Sequence, residues 1–249
     1  MSPAIAVRSL RKVYGAKAAV DGLTLTVRRG CFFGFLGPNG AGKTTTIRML
    51  LGLAPPTSGS IELLGLPMPQ RAVEIKRKIG LVPDESILFD RLTGREFLEF
   101  AGRMYGLERP VACERARELL ALFELDGNHR TLIAEYSKGM RKRLTMAAAL
   151  IHRPELFLMD EPFEGVDAVG ARMMKDLLID QVRQGATVFL TSHVLEVVER
   201  LCDTVAIIHE GKLVMEGATA ALRNGSETLE DAFVRLVGAE RVIEKLDWL

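Results

Sequence analysis

A chain of 249 residues is long enough for one large α/β domain, or for a core with an inserted subdomain, and it can bury a substantial core. Its 33 lysines and arginines balance 32 aspartates and glutamates, so bulk charge does not favour nucleic acid or an anionic membrane as a partner. Three scattered cysteines fit no metal-site spacing and indicate buried thiols in a reducing compartment. No signal peptide opens the sequence and no apolar run reaches the ~20 residues that cross a bilayer, so we expect a soluble chain.

The first segment, residues 5–27, has the pattern of strands. Leu23, Leu25 and Val27 alternate with polar residues, which is typical of a half-buried antiparallel strand. Tyr14 stands beside Gly15 between two such strands, and an exposed aromatic ring there can stack on a base because every base has a π-face. A packing role for the same tyrosine is the alternative.

Residues 37–44 fit the phosphate-binding pattern of two spaced glycines followed by lysine and a hydroxyl residue. The apolar run 31–36 predicts a buried strand before it, and residues 45–53 predict a helix after it. Glycines let successive N–H groups turn toward phosphates, and the helix N-terminus favours anions. Lys43 would contact the β- and γ-phosphates, and the Thr44 hydroxyl would bind Mg²⁺. The predicted nucleotide-binding residues are Gly37, Pro38, Asn39, Gly40, Ala41, Gly42, Lys43, Thr44 and Thr45.

Short strand patterns continue after this loop. Residues 55–60 form a turn-rich break, and residues 61–63 resume a strand. Residues 79–82 predict a buried strand, after which Asp84 and Glu85 stand where ligands of α/β sheets tend to lie. An ordinary solvated loop is the alternative for this acidic pair.

Helical periods replace strand patterns from Thr93 to Ile151, which predicts a helical insertion between sheet strands. Ser137 is placed as the N-cap of the last helix, and an N-terminus with a hydroxyl and a glycine can bind an anion. A cap without a ligand is commoner, so this segment alone does not define a site. We interpret the basic residues 141–143 on the same helix as a solvated face.

The apolar run 156–159 predicts a buried parallel strand that ends in Asp160 and Glu161. Beside a phosphate loop, Asp160 can hold Mg²⁺ and Glu161 can orient and deprotonate a water that attacks the γ-phosphate. Residues 187–190 predict another buried strand, followed by His193. A lone histidine there is usually structural, but beside the acidic pair it can hydrogen-bond the γ-phosphate. Residues 204–208 and 212–215 predict a hairpin, and an amphipathic helix follows in the tail.

These motifs, taken together and in this order, closely resemble those of ATP-binding cassette (ABC) ATPases, the nucleotide-binding components of ABC transporters. Residues 37–44 resemble the family's Walker A loop and residues 156–160 its Walker B strand. The resemblance implies that Glu161 is the catalytic base, that His193 is the switch histidine and that Tyr14 stacks on adenine.

The resemblance extends to a motif that has no function by itself. Ser137 and Gly139 match two positions of the family signature, which in that family closes over ATP held by the other subunit of a dimer. Asp167 matches the loop that crosses the dimer seam. Residues 92–98 resemble the corresponding stretch of bacterial exporters whose ATPase and membrane subunits are separate chains.

The chain departs from the family pattern in three places. Asp84 stands where a glutamine is usual, and its carboxylate can still bind Mg²⁺ although it is shorter and charged. Tyr136, Lys138 and Met140 replace residues of the usual signature, and Lys138 either adds a cation near the other subunit's γ-phosphate or points to solvent. Phe163 replaces a small polar residue.

The resemblance thus implies a single ABC ATPase domain over residues 1–249. Its α/β P-loop NTPase core, with a mostly parallel sheet and an N-terminal antiparallel β layer, comprises about 1–85 and 151–222. A helical subdomain occupies about 86–150 and a helical tail about 223–249. Expected cofactors are ATP and Mg²⁺, with Thr44, Asp160 and Asp84 as metal ligands and Lys43, Glu161 and His193 as catalytic residues.

The expected function is ATP hydrolysis that powers export through a separate transmembrane permease subunit. The ATPase domains would form a homo- or heterodimer, with no nucleic-acid partner, and lie in the cytoplasm on the inner face of the cell membrane. One alternative is a soluble ABC ATPase that acts in translation, repair or assembly. The single cassette and the lack of a long heptad segment or a basic tail argue against it. A second is a P-loop small-molecule kinase, which has no use for the signature of Ser137 and Gly139.

Overall fold

A computed structural model describes residues 2–128, 130–222 and 228–238 of the chain. The strands are β1 (Ile5–Tyr14), β2 (Lys17–Val27), β3 (Phe32–Leu36), β4 (Ser58–Leu63), β5 (Leu66–Met68), β6 (Ile79–Val82), β7 (Leu156–Asp160), β8 (Thr187–Thr191), β9 (Thr204–His209) and β10 (Lys212–Ala218). The helices are α1 (Lys43–Leu50), α2 (Ala72–Lys76), α3 (Gly94–Met104), α4 (Arg109–Leu122), α5 (Lys138–Leu150), α6 (Ala168–Arg183), α7 (Leu195–Leu201), α8 (Thr219–Leu222) and α9 (Leu229–Val237).

Two sheets form the core of the protein. The smaller sheet has the order β2-β1-β4-β5, and its neighbouring strands are antiparallel. The larger sheet has the order β10-β9-β3-β8-β7-β6, in which β9 and β10 pair antiparallel and the other neighbouring strands pair parallel. The predicted fold class is therefore confirmed: an α/β protein with a mostly parallel sheet and an N-terminal antiparallel layer.

The central strand β3 shows why the larger sheet is buried. Successive side chains of a strand point to opposite faces, and a parallel sheet is covered on both faces. Phe33 and Phe35 pack against the antiparallel layer and α1, and the Phe33 ring stacks on Phe189 with centroids 5.7 Å apart. Phe32 and Leu36 pack in the second cluster, with the helical part of the chain. A continuous apolar run is what both environments require.

The parallel order also decides where the functional residues meet. In the sheet register Asp160 of β7 is opposite Thr191 of β8, and Phe35 of β3 is opposite the same threonine. The carboxyl ends of β3, β7 and β8 therefore lie side by side. Ligands of open α/β sheets bind at this edge.

Helices α3, α4 and α5 follow β6 and precede β7. Thr93 and Glu96 form a capping box at the start of α3, and Asp167 caps α6 by accepting a hydrogen bond from Gly170. No helix in the described ranges is both long and apolar enough to cross a membrane.

Several boundaries differ from the sequence predictions. Residues 58–60 are not part of a turn but open β4, because they pair with β1. The helix predicted over 45–53 runs over Lys43–Leu50. Cys31 and Cys202 are buried as predicted, whereas Cys113 is partly exposed. Helix α9 is found in the predicted tail, and residues 223–227 and 239–249 of that tail lie outside the described part of the chain.

Candidate functional site

The loop between β3 and α1 requires its glycines. Gly40 and Gly42 have φ values of 80° and 111°, a region that side chains other than glycine rarely adopt. A Cβ on Gly42 would lie 2.4 Å from the Ala19 carbonyl oxygen, and a Cβ on Gly37 would lie 2.3 Å from that of Ile208. Ala19 of β2 and Ile208 of β9 thus pack so closely against the loop that they fix its path. The backbone N–H groups that precede α1 remain at the helix N-terminus, which favours an anion.

Lys43 is folded back over this loop. Its side chain is buried, and Nζ donates hydrogen bonds to the carbonyl oxygens of Gly37 at 2.7 Å and Pro38 at 3.2 Å. Burial lowers the pKa of Lys43, and the carboxylates of Glu161, Asp160 and Asp84 oppose that shift. The ammonium is thus held at the loop by acceptors that phosphate oxygens can replace.

Thr44 and Asp160 are brought together by α1 and β7. The Thr44 hydroxyl donates to Asp160 Oδ2 at 2.8 Å, and Thr191 donates to the other carboxylate oxygen. Oxygen atoms from a hydroxyl and one carboxylate fit Mg²⁺, which usually keeps waters and takes phosphate oxygens for its remaining ligands. In the ranges that the structure describes, no group of three or more His, Cys, Asp or Glu residues forms a metal site made of protein alone.

Glu161 and His193 form a second pair at the same edge. Glu161 Oε2 lies 2.9 Å from His193 Nδ1 and accepts a hydrogen bond from the His193 backbone N–H at 3.2 Å. The Glu161 side chain is 12% exposed and that of His193 is 56% exposed. Glu161 has a φ of 46°, and its N–H donates to Thr191 Oγ1. The carboxylate is thus fixed at the mouth of a cleft, where water reaches it.

Among the clefts that adjoin the phosphate loop in the described part of the chain, two carry predicted site residues from outside the loop. One, of about 410 Å³, is lined by Gly37, Pro38, Asn39, Asp84, Glu161, Glu164, Ser192, His193, Leu195 and Phe233. The other, of about 250 Å³, is lined by Tyr14, Lys17, Ala19, Asn39, Gly40, Gly42, Lys43, Thr44 and Thr45. Tyr14 is half-exposed beside the loop, with Lys12 Nζ 4.9 Å from its ring centroid. The fold therefore places most of the predicted site residues around one loop.

Ser137 and Gly139 line neither of these clefts. Ser137 caps α5 as predicted, since its Oγ accepts a hydrogen bond from Met140 N–H at 3.2 Å. A Cβ on Gly139 would lie 3.2 Å from the Gly165 carbonyl oxygen, so the start of α5 approaches the loop that follows Glu161. In the described part of the chain, the clefts at the phosphate loop are thus built without either residue.

Lys138, at the same helix start, is largely exposed and paired with its own chain. Its Nζ lies 2.7 Å from Glu164 Oε1. This hydrogen bond raises the pKa of Lys138 and lowers the pKa of Glu164. Solvent screens such a pair, which therefore contributes little to stability.

Two buried polar side chains near the site, Thr191 and Lys142, were not predicted from the sequence. Thr191 bridges Asp160 and the Glu161 backbone at the end of β8, and its only sequence signal is its place before Ser192 and His193. Lys142 is 2% exposed, and its Nζ donates to the carbonyl oxygens of Pro83 and Asp84. The periodicity of α5 contains the signal, because Lys142, Met146 and Ala149 share its buried face.

The interpretation of residues 141–143 as a solvated face is therefore wrong. Lys142 is buried as described. Arg141 pairs with Asp90 and donates to the Ile133 carbonyl, and Arg143 donates to the Phe123 carbonyl. All three cations bind neighbouring segments of the helical part of the chain or the loop after β6, so a run of like charges was misread as a free surface.

Comparisons with known proteins agree with this geometry. Residues 20–164 match a family described as "ABC transporter". The Nod factor export ATP-binding protein I of Cupriavidus metallidurans is 42% identical over 217 residues, which cover 87% of this chain and 72% of that protein. The bacitracin transport ATP-binding protein BcrA of Bacillus licheniformis is 42% identical over 217 residues, covering 87% of this chain and 70% of that protein.

A solved structure described as the ATP-binding subunit of an ABC transporter is similar along almost the whole chain. It has a TM-score of 0.87 and 30% identity, and the match covers 93% of this chain and 98% of that one. The family match spans more than half of the sequence and includes the phosphate loop, α5 and the acidic pair. The chain therefore belongs to the ABC transporter family, as an ATP-binding subunit with ATPase activity.

Proposed function

We propose that this chain binds ATP with Mg²⁺ and hydrolyses it as one of two ATPase subunits that power export through a separate transmembrane permease subunit. The observation that carries the proposal is the meeting of five side chains at one edge of the parallel sheet: Lys43, Thr44, Asp160, Glu161 and His193. Tyr14 beside the same loop supports stacking on adenine.

The chemistry follows from these positions. Lys43 and the N–H groups of the loop bind the phosphates and stabilise the charge that develops on them. Thr44 and Asp160 would hold Mg²⁺, and Asp84, which lines the cleft of Glu161 and His193, would be a further ligand. Bound Mg²⁺ would neutralise phosphate charge. Both Glu161 contacts with His193 engage Oε2, so we assign Oε1 to take the proton of the attacking water. His193, which lines the same cleft, would hydrogen-bond the γ-phosphate of bound ATP.

The position of Ser137 supports a dimer. Ser137 and Gly139 carry the signature but line neither cleft of the phosphate loop of their own chain. A second subunit, either identical or similar, supplies the missing phosphate loop, so each nucleotide lies between two chains. Asp167, which caps α6 in the loop beside Gly139, lies at the seam between them.

Replacing Ser137 by alanine tests this dimer. We expect hydrolysis to fall about 100-fold, because a donor aimed at transferred phosphate charge is lost. Loss of the N-cap itself costs about 1 kcal/mol of folding stability. Thr93→Ala, which removes the N-cap of α3, is the matched control and keeps its rate. ATPase assays of both variants at equal folded concentration make the comparison. A Ser137→Ala rate within threefold of wild type would instead favour a monomeric P-loop kinase.

An exposed apolar surface supports the membrane partner. Large apolar side chains are exposed on α3 and on the segment between Asp84 and α3: Ile87, Phe89, Phe100 and Met104. A cluster of such side chains marks an interaction site. The relatives' names describe export and bacitracin transport. We place the protein in the cytoplasm, held to the inner face of the membrane by this contact and without a nucleic-acid partner.

Affinity purification from detergent-solubilised membranes of the native cell tests the partner. We expect a multi-spanning chain to co-purify in stoichiometric amount, because the apolar side chains need a cover. Met104→Asp, which places a charge on this surface, should lose that chain, while Val214→Asp on β10 should keep it. A soluble protein or nucleic acid in place of the membrane chain would establish the soluble ABC ATPase and end the transport assignment.

A further inference from the structure

Lys142 is a buried cation to which the proposed hydrolysis gives no role. It lies near the start of α5, five residues after Ser137, and is 2% exposed. Its Nζ donates to the carbonyl oxygen of Pro83 at 3.1 Å and of Asp84 at 2.8 Å. Both acceptors belong to the main chain, so Lys142 holds the backbone of this segment. We define residues 83–86 as the Asp84 loop.

A buried ammonium is expensive to retain. Removing a charge from water costs several kcal/mol unless hydrogen bonds and opposite charges compensate. Burial lowers the pKa of Lys142, and the carboxylates of Asp84, Glu164 and Asp160 oppose this shift. An apolar side chain would avoid that cost but would leave two carbonyl groups without a donor. The residue therefore fixes the path of the Asp84 loop at an energetic cost.

The Asp84 loop lies between two functional regions. Asp84 lines the cleft of Gly37, Glu161 and His193. On its other side it lines a cleft of about 440 Å³ with Lys138, Lys142 and Glu164, at the start of α5. If a ligand in the first cleft displaced this loop, it would move the two carbonyl oxygens to which Lys142 donates.

The opposite end of the same helix is also fixed to β6. A Cβ on Gly80 would lie 2.7 Å from the Ala149 carbonyl oxygen, so β6 and the end of α5 pack with no side chain between them. If α5 moves, the tight contact at Gly80 would act as its pivot, since Lys142 connects the other end of the helix to the loop. Helix α5 is long enough, at 13 residues, to carry such a movement as a rigid body.

We propose that Lys142 is a positioning residue that couples the Asp84 loop to Ser137, so that a γ-phosphate in the chain's own cleft aligns the signature for the nucleotide of the second subunit. The inference rests on the proposed function, because it assumes that Ser137 acts on ATP held by another chain. Lys142 touches no nucleotide itself. It transmits the difference between ATP and ADP from one site to the other.

The test compares Lys142→Met with Arg143→Met, both in the Glu161→Gln background that we expect to accumulate the ATP dimer. Arg143 is the matched control, since it is a cation of α5 that donates to the Phe123 carbonyl and not to the Asp84 loop. For Lys142→Met we expect the ATP concentration of half-maximal dimerisation to rise about tenfold, the effect of losing one or two charge-assisted hydrogen bonds. The affinity for ADP should stay within about twofold of that of Glu161→Gln alone, because ADP has no γ-phosphate that could displace the Asp84 loop. Arg143→Met should change neither value.

The outcomes separate this inference from the proposed function. If Glu161→Gln alone forms no ATP-dependent dimer, the shared site of the proposed function fails. If that dimer forms and Lys142→Met requires the same ATP concentration as Arg143→Met, only the coupling role of Lys142 is refuted. Equal losses for ATP and ADP would also refute it, because they indicate a general loss of structure. Should Lys142→Met fail to fold, Lys142→Gln keeps a shorter donor and should raise the ATP concentration at least about threefold.

Discussion

Glu161→Gln is expected to bind ATP but to hydrolyse it 10²–10⁴ times more slowly, roughly the contribution of a general base. The amide has nearly the shape of the carboxylate, so the site keeps its geometry, yet it cannot take a proton from water. Single-turnover hydrolysis of ATP measures the loss. Because ATP persists between the subunits, the variant should accumulate as an ATP-dependent dimer in size-exclusion chromatography.

Glu62→Gln is the control for this experiment. Glu62 is exposed on β4 in the antiparallel sheet, so the same chemical change there should leave the rate and the monomer unchanged. A Glu161→Gln rate near that of wild type would show that another group activates the water. A slow rate without a dimer would retain the base and reject the shared site.

Lys43→Ala is expected to weaken ATP binding about 100-fold and to abolish measurable hydrolysis, since charge-assisted hydrogen bonds contribute about 1.5–3 kcal/mol each. The ammonium donates hydrogen bonds to the loop carbonyls of Gly37 and Pro38, where phosphate oxygens would lie. Its removal leaves the N–H groups of the loop as the remaining phosphate donors. Calorimetric titration with ATP and with ADP measures both affinities.

Lys78→Ala provides the comparison for Lys43. Lys78 pairs with Glu155 on the surface, where such a pair contributes little, so its loss should leave nucleotide affinity unchanged. If Lys43→Ala is folded and binds ATP as tightly as Lys78→Ala does, the prediction that residues 37–44 bind phosphate is wrong.

The parts of the site that the sequence predicts are contiguous. Residues 31–53 predict a strand, a glycine loop and a helix. The structure has β3, a loop and α1 in this segment, because each element depends on local chemistry. The acidic pair is likewise found at the end of a parallel strand. The roles assigned to these residues remain predictions, which the variants above test.

The missed residues depend on contacts distant in sequence. Thr191 meets Asp160 across 31 positions, and Lys142 meets Pro83 across 59. A threonine at the end of a strand or a lysine in a basic run has the same local pattern whether or not such a partner exists. The interpretation of residues 141–143 as a solvated face is wrong for this reason. The basic run alone does not indicate that the fold brings the carbonyl groups of Pro83 and Asp84 against Lys142.

The most direct test of the central claim mixes two inactive proteins and measures ATP hydrolysis. If each nucleotide site combines Glu161 of one chain with Ser137 of another, a dimer of Glu161→Gln and Ser137→Ala contains one site with both intact residues. We predict that the mixture hydrolyses ATP clearly faster than either variant alone. A mixture that never exceeds the average of its two components would contradict the shared site and indicate that each chain completes its own.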